Sequence, residues 1–293
     1  MKVLTFGSMN IDYVYSVPHI ILPGETLSSS ERNIFTGGKG LNQSVAMARA
    51  GLEVYHAGKT GTDGGILLDA LRDNGVNTDY VRVEDTQSGH TIIQVDEFGQ
   101  NSIILFKGTN YMMTGDFVDE VLSAFGEGDV LVLQNEINLL DLIIDRAYER
   151  KMTIVLNPSP FEEKLLGYSL DKVSIFMVNE IEGGQISGIP ADRPKEILDW
   201  FAAHYPAAEV VLTLGSQGAW YSGRGERLFQ PAFKVKAVDT TSAGDTFSGY
   251  FIAGRARGYD AAKTMELAAK AASITVSRPG AAPSIPTAAE VID

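Results

Sequence analysis

Thr153-Ile154-Val155-Leu156-Asn157-Pro158 is a short apolar run closed by a polar turn. The pattern recurs around it. Val130-Leu131-Val132-Leu133 precedes a helical stretch over 139–150, Ser174-Ile175-Phe176-Met177-Val178 ends at Asn179, and Glu209-Val210-Val211-Leu212-Thr213-Leu214 ends at Gly215. Short, nearly all-apolar strands separated by helices predict a parallel sheet covered on both faces, and so an α/β fold. Nearer the start, Val3-Leu4-Thr5-Phe6-Gly7 reads as a buried first strand, 41–50 as a helix stopped by Gly51, 54–57 as a short strand and 64–74 as a helix ending at Gly75. Thr91–Asp96 and Asn101–Phe106 flank Glu97-Phe98-Gly99-Gln100 and read as a β-hairpin. The hairpin does not fit the parallel plan and is expected in a small separate sheet with residues near Asp12 to Phe35. There is no Pro/Gly/Ser-rich linker, low-complexity segment or repeat, so one main domain with an inserted lid is expected.

Composition narrows the partners. The chain has 293 residues, 44% hydrophobic and 21% charged, with 37 acidic against 24 basic residues and a net charge of −13. That balance argues against general nucleic-acid or membrane-surface binding. An anionic ligand such as ATP gains nothing from the global field, so any phosphate site must be built locally from N–H groups, lysine and metal ions. Cysteine is absent, which excludes disulfides, thiolate metal sites and a Cys nucleophile, and fits a cytoplasmic location. The opening residues turn polar too quickly for a signal peptide, and no apolar run approaches the roughly 18 residues of a membrane span.

In an open parallel sheet, ligands bind beyond the carboxyl ends of the strands. Those ends are polar here: Gly7-Ser8-Met9-Asn10-Ile11-Asp12, Asn135-Glu136, Asn157, Asn179-Glu180-Ile181-Glu182 and Gly215-Ser216-Gln217-Gly218. Each alone is an ordinary turn; together at one sheet edge they describe an active-site rim. Gly37-Gly38-Lys39-Gly40-Leu41-Asn42-Gln43 is a glycine loop opening a helix. It is not a Walker A loop, because Gly40 follows Lys39 and no glycine lies five residues before Gly38; Gly58-Lys59-Thr60 fails because position 53 is Glu. The alternatives for the first loop are a flexible turn, or glycines that let a polyol approach while Asn42 and Lys39 bond its hydroxyls. Asp239-Thr240-Thr241-Ser242-Ala243-Gly244-Asp245-Thr246-Phe247 places small residues and a carboxylate where a helix begins, with Phe247, Tyr250, Phe251 and Gly254 at helical spacing behind. Free N–H groups at a helix start attract an anion. Asp245 beside them is equipment for phosphoryl transfer to an alcohol; the plainer reading is a capped helix after a polar turn.

Taken together, these two loops resemble the N- and C-terminal signatures of the ribokinase family of ATP-dependent sugar kinases, in the right order and separation. The resemblance runs from Gly7 to Ser284. It implies a three-layer Rossmann-like domain, 1–293, with a mostly parallel central sheet and a β lid formed by about 11–36 and 90–107, often paired in homodimers through the lid. By position, Asp245 is the implied catalytic base, and the N–H groups of Ser242, Ala243, Gly244 and Asp245 the implied anion hole. Asn10, Asp12, Gly38, Lys39, Asn42 and Glu136 match sugar-binding positions, with Leu105 matching an apolar lid contact. Asn179 and Glu182 resemble the Asn-x-x-Glu motif that holds Mg2+ and phosphate, largely through water. Thr213, Gly215, Ser216 and Gly218 match the loop under the nucleotide. Asp239, the carbonyls of Thr241, Thr275, Arg278 and Gly280, and the Ser284 hydroxyl match a monovalent-cation loop, for which K+ is expected.

The match departs in places. His90-Thr91 stands where ribokinases place small apolar residues; Thr91 either adds a hydroxyl contact, favouring another sugar or a nucleoside, or faces solvent. Ala269 replaces an Asn or His beside the adenine, and Ser242 a Gly or Ala. The expected reaction is ATP-dependent phosphorylation of a primary hydroxyl, D-ribose to ribose 5-phosphate first. Fructose, a 2-keto-3-deoxy sugar acid and a nucleoside are the alternative acceptors. No sugar-site position carries an arginine for a carboxylate, while Tyr13, Tyr15 and Phe35 leave a stacked nucleoside open. A non-catalytic sensor on the same fold predicts a damaged base or a filled anion hole, and the motif is intact. A dinucleotide dehydrogenase lacks its Gly-x-Gly-x-x-Gly after the first strand. His19, His56, His90 and His204 are scattered and read as surface or packing residues.

Overall fold

Residue parity along the strands builds the layers. In the computed structural model, which describes residues 1–292, Val130 and Val132 face one apolar cluster while Leu131 and Leu133 face another, and Val211 and Leu212 divide the same way. The strands are β1 (Val3–Phe6), β2 (Asn10–Ser16), β3 (Glu31–Gly37), β4 (Val54–Gly61), β5 (Asn77–Glu84), β6 (Gly89–Val95), β7 (Asn101–Phe106), β8 (Val130–Gln134), β9 (Thr153–Asn157), β10 (Ile175–Asn179), β11 (Glu209–Thr213), β12 (Gly218–Gly223) and β13 (Glu226–Pro231). The helices are α1 (Lys39–Arg49), α2 (Gly65–Asp73), α3 (Gly115–Leu122), α4 (Leu140–Glu149), α5 (Glu180–Ser187), α6 (Pro194–His204), α7 (Ala243–Ala256), α8 (Ala261–Val276) and α9 (Ala288–Val291).

The large sheet runs β13-β12-β11-β10-β9-β8-β1-β4-β5. It is parallel from β11 to β5, and β12 and β13 add an antiparallel edge. Leu41 and Val45 of α1, Leu67 of α2, Phe251 of α7 and Met265 of α8 fill one face; Val118 of α3, Ile143 of α4, Ile186 of α5 and Leu198 of α6 fill the other. This is the expected α/β architecture. The strand expected over 54–57 continues to Gly61, so Gly58-Lys59-Thr60 lies inside β4 and is not a phosphate loop.

The hairpin joins β2 and β3 in a second sheet, ordered β3-β2-β6-β7. Cross-strand partners Asp12, Phe35, Thr91 and Leu105 share one face. On the other face Ile34, Ile92, Ile104 and Phe106 are exposed. The chain enters this sheet through Gly7-Ser8-Met9, directly after β1, so the small sheet stands at the carboxyl ends of the large one. Asn110 holds the joint. Its side chain accepts from Met9 N–H at 3.0 Å and donates to Asn10 Oδ1 at 2.8 Å.

Candidate active site

Helix α7 begins at the expected place. Ser242 is its N-cap in the left-handed region, with φ 60°, and its buried hydroxyl has no protein partner among the described residues. The Ala243 N–H turns back to Thr240 O at 3.3 Å and that of Thr246 bonds Ser242 O at 2.9 Å. The N–H groups of Gly244 and Asp245 therefore have no backbone acceptor among the described residues, so the free donors are fewer than the motif suggests. A Cβ on Gly244 would meet nothing within 4 Å; the glycine opens ligand space rather than protein packing.

The α1 glycines are required by packing, not by flexibility. A Cβ on Gly37 would overlap the Asp12 carboxylate, and one on Gly40 would lie 2.5 Å from Ser8 N. Gly38 has φ +93° and would bring a Cβ within 3.0 Å of the Ser8–Asn10 backbone. The loop is glycine-rich because it presses on the β1–β2 turn.

Two groups of polar residues meet above the sheet. In the first, Thr91 is buried and its hydroxyl donates to Asp12 Oδ1 at 2.5 Å. Thr91 therefore neither faces solvent nor offers its proton to a ligand. Burial pushes the Asp12 carboxyl up to about 6 from 3.8; the Thr91 bond opposes this and Glu136 adds to it. Asn10 lies beside Asp12 at the start of β2, and half-exposed Leu105 lies across from Thr91. In the second group, Glu136 accepts from the Ser8 hydroxyl and, at 3.1 Å, from Lys39 N–H. Burial raises the Glu136 carboxyl, against the Lys39 charge and both bonds. Burial alone would lower the Lys39 ammonium, but Asp245, Glu136 and Glu182 outweigh it and hold it above its usual range.

Asp245 is buried. Its Oδ1 accepts from Gln43 Nε2 at 3.0 Å and its Oδ2 from Asn42 Nδ2 at 3.3 Å. Asn42, expected at the sugar, thus spends its amide N–H on Asp245, while its Oδ1 is buried without a partner among the described residues. That oxygen fits a ligand hydroxyl.

Asp245 and Gly244 line a cavity of about 260 Å³ with Lys39, Asn157, Asn179 and Glu182. Asn179 and Glu182 also form a reciprocal capping box on α5, so this motif has a local structural role as well as a cavity-facing one. The buried Oδ1 of Asn157 has no partner among the described residues. Through Thr213, Thr240, Ala243 and Gly244 this polar cavity opens into one of about 700 Å³. Thr213, Gly215, Ser216 and Gly218 form one wall of the larger space, and Phe233, Val235, Ala269, Ala272 and Val276 give it an apolar end.

Beside α7, Asp239 accepts from Thr241 N–H and from Gly280 N–H, each at 2.9 Å. Its burial is outweighed by these bonds, which lower its carboxyl. Thr275 O accepts from Arg278 N–H at 3.1 Å, and buried Ser284 donates to Ala281 O at 2.7 Å. The carbonyls of Thr241, Arg278 and Gly280 accept no backbone bond among the described residues. Oxygen donors of this kind suit a hard cation.

The sequence reasoning missed Ser8, Gln43, Asn110 and Gln134 as site residues. Gln43 directly follows Asn42 in the glycine loop, and Gln134 is the polar end of an otherwise apolar strand; those were the available signals. No group of three or more His, Asp or Glu residues able to hold a metal exists among the described residues, and no helix there is long and apolar enough to cross a membrane.

Comparison with known proteins gives consistent matches. The family described as pfkB family carbohydrate kinase matches residues 1–288. The ribokinase of Haemophilus influenzae is 34% identical over 100% of this chain and 98% of its own length. The ribokinase of Cryptococcus neoformans var. grubii in complex with ADP superposes with a TM-score of 0.87 at 32% identity, covering 99% of this chain and 98% of that one. The Arabidopsis thaliana ribokinase complexed with ribose and ATP does so with a TM-score of 0.87 at 30% identity, covering 99% and 97%.

Proposed function

Because this chain belongs to the pfkB family of carbohydrate kinases, we propose that it transfers the γ-phosphoryl group of ATP to the primary hydroxyl of D-ribose, giving ribose 5-phosphate and ADP. The observation that carries the reading is the place of Asp245. It is a buried carboxylate at a helix start, lining the polar cavity that opens into the nucleotide-sized one, and its charge is felt by Lys39 and by Glu136, the neighbour of Asp12. Full-length likeness to proteins that are ribokinases supports ribose as the acceptor.

In this reading 1–293 is one kinase unit, with Asp293 outside the described residues, and the small sheet, about 11–36 and 90–107, is its lid. The sugar sits under the lid between Asp12, Asn10, the Asn42 carbonyl and Glu136, with Gly38 and Leu105 against it. ATP lies along Thr213, Gly215, Ser216 and Gly218, its base in the apolar end and its phosphates over Gly244. Asp245 accepts the proton of the primary hydroxyl as that oxygen bonds the γ-phosphorus and the bond to ADP breaks. The free N–H groups of Gly244 and Asp245 and the charge of Lys39 stabilise the transferring group. A positioned base contributes about 10²–10⁴-fold.

Glu182 and the Asn157 carbonyl are the groups that would hold Mg2+, largely through water, and Mg2+ would neutralise phosphate charge. The Asp239 loop, with the carbonyls of Thr241, Thr275, Arg278 and Gly280 and the Ser284 hydroxyl, would hold K+. The exposed apolar face of the lid (Ile34, Ile92, Ile104, Phe106) supports pairing of two copies through their lids. An ATP-dependent sugar kinase of this kind works in the cytoplasm.

The test is ADP release with ATP, Mg2+ and K+ against ribose, fructose, other pentoses and hexoses, keto-acids and nucleosides. The expected result is the highest kcat/KM for ribose. A clear preference for another acceptor would overturn the ribose assignment and leave the phosphoryl-transfer chemistry in place.

A further inference from the structure

Behind Asp245 runs a chain of buried carboxamides that ribose phosphorylation alone does not explain. Gln134 Nε2 donates to Gln43 Oε1 at 2.6 Å, and Gln43 Nε2 donates to Asp245 Oδ1 at 3.0 Å. Gln134 is 0% and Gln43 1% exposed. Three elements are joined this way: the end of β8, the second turn of α1 and the first turn of α7.

The direction of the chain is forced. A carboxylate only accepts, so Gln43 must turn its nitrogen to Asp245. That leaves the Gln43 oxygen facing Gln134, which must offer its own nitrogen. The Gln134 oxygen then points away with no partner among the described residues. It faces Gly7, where a Cβ would lie 2.5 Å from it. Strand parity puts Gln134 on the α1–α7 face, and Gly249 of α7 lets the helices close, since a Cβ there would lie 2.6 Å from Ala46 Cβ.

We infer that Gln43, aligned by Gln134, is a positioning residue for the catalytic base: its amide, together with that of Asn42, fixes the plane of the Asp245 carboxylate. Asn42 grips one carboxylate oxygen and Gln43 the other, which opposes rotation of the carboxylate, and each oxygen keeps a lone pair with which it can accept from a hydroxyl. N–H donors on a carboxylate favour the charged form over the protonated one. The charged groups around Asp245 are Lys39 at the start of α1, Glu136 after β8 and Glu182 in α5; all stay in place in the test below.

This inference rests on the kinase reading. The experiment is the pH dependence of kcat for ribose in wild type, Gln43→Met and Gln134→Met, with folding followed by circular dichroism. In Gln43→Met, kcat should fall about 10- to 100-fold with the KM values for sugar and ATP little changed. The acid limb of its profile should move up by about one pH unit, because one donor to the base is gone. Gln134→Met should move the limb the same way by less. A limb that stays in place in both variants, whatever happens to kcat, overturns the relay. If Gln43→Met does not fold, Gln134→Met decides alone by the same criterion. Wild type that turns over no acceptor overturns the kinase reading, and the relay with it.

Discussion

Asp12→Asn should make the ligand-free protein more stable at pH 8 and a poorer binder of sugar. In the fold the Asp12 carboxyl is held at about 6, against an ordinary 3.8. Each pKa unit is about 1.4 kcal/mol, so the shift corresponds to about 3 kcal/mol. A carboxyl raised in the folded state favours its neutral form. The associated stability is fully present below about pH 4, and it is lost as the pH rises through 6. At pH 8 the folded protein therefore carries the whole cost of a buried charge. An asparagine removes that charge and still accepts the Thr91 hydroxyl. The weaker bond it makes is already contained in the shift, which is net of the Thr91 bond. The net gain is therefore about 3 kcal/mol, which for a chain of 293 residues raises the thermal midpoint by roughly 5 °C. At pH 5 the burial term should be about half as large, because the unfolded carboxyl is mostly ionised there and the folded one mostly is not. Thermal unfolding of both proteins at pH 5 and pH 8, with calorimetric ribose titration at pH 8, measures all three quantities. An equal midpoint difference at the two pH values would refute the burial argument. Unchanged ribose affinity would remove Asp12 from the sugar site.

Asp245→Asn should leave folding and sugar binding nearly intact and lower kcat by about 10²–10⁴-fold; surviving turnover would show that another group takes the proton. Ser242→Gly should relieve the left-handed backbone at φ 60° and stabilise by about 1 kcal/mol, read as a higher melting midpoint; a lower midpoint would mean that the serine side chain supports the turn. Exchanging K+ for choline, too large for a cage of carbonyls, should lower turnover several-fold without unfolding the protein, and equal rates in the two salts would dismiss the cation loop.

The main sheet was legible because its strands are buried on both faces. Each of β8, β9, β10 and β11 is then a short apolar run, and a polar residue at its end marks both a stop and the rim. The hairpin was legible from its alternation and its turn. The antiparallel edge was not, because β13 is half exposed and its mixed residues resemble a loop. Within the site, the carboxylate at the start of α7 was readable since chain-local features define a helix start. The packing role of the α1 glycines was not legible. What they clear is the Asp12 carboxylate and the Ser8–Asn10 backbone, and neither neighbour is visible from the loop itself.

By itself the sequence determined the α/β plan and the two glycine-bearing helix starts, because strand periodicity and helix capping act over a few adjacent residues; the phosphoryl-transfer chemistry followed from the resemblance of those two loops to the ribokinase signatures. Only the tertiary structure decided which polar groups face one another. Asp12 meets Thr91, Glu136 meets Ser8 and the Lys39 backbone, and Asp245 meets Asn42 and Gln43. These partners are brought together by sheet order and helix packing across as many as 203 positions of chain. The burial that moves the Asp12 and Glu136 carboxyls belongs to that packing and to no local pattern of residues.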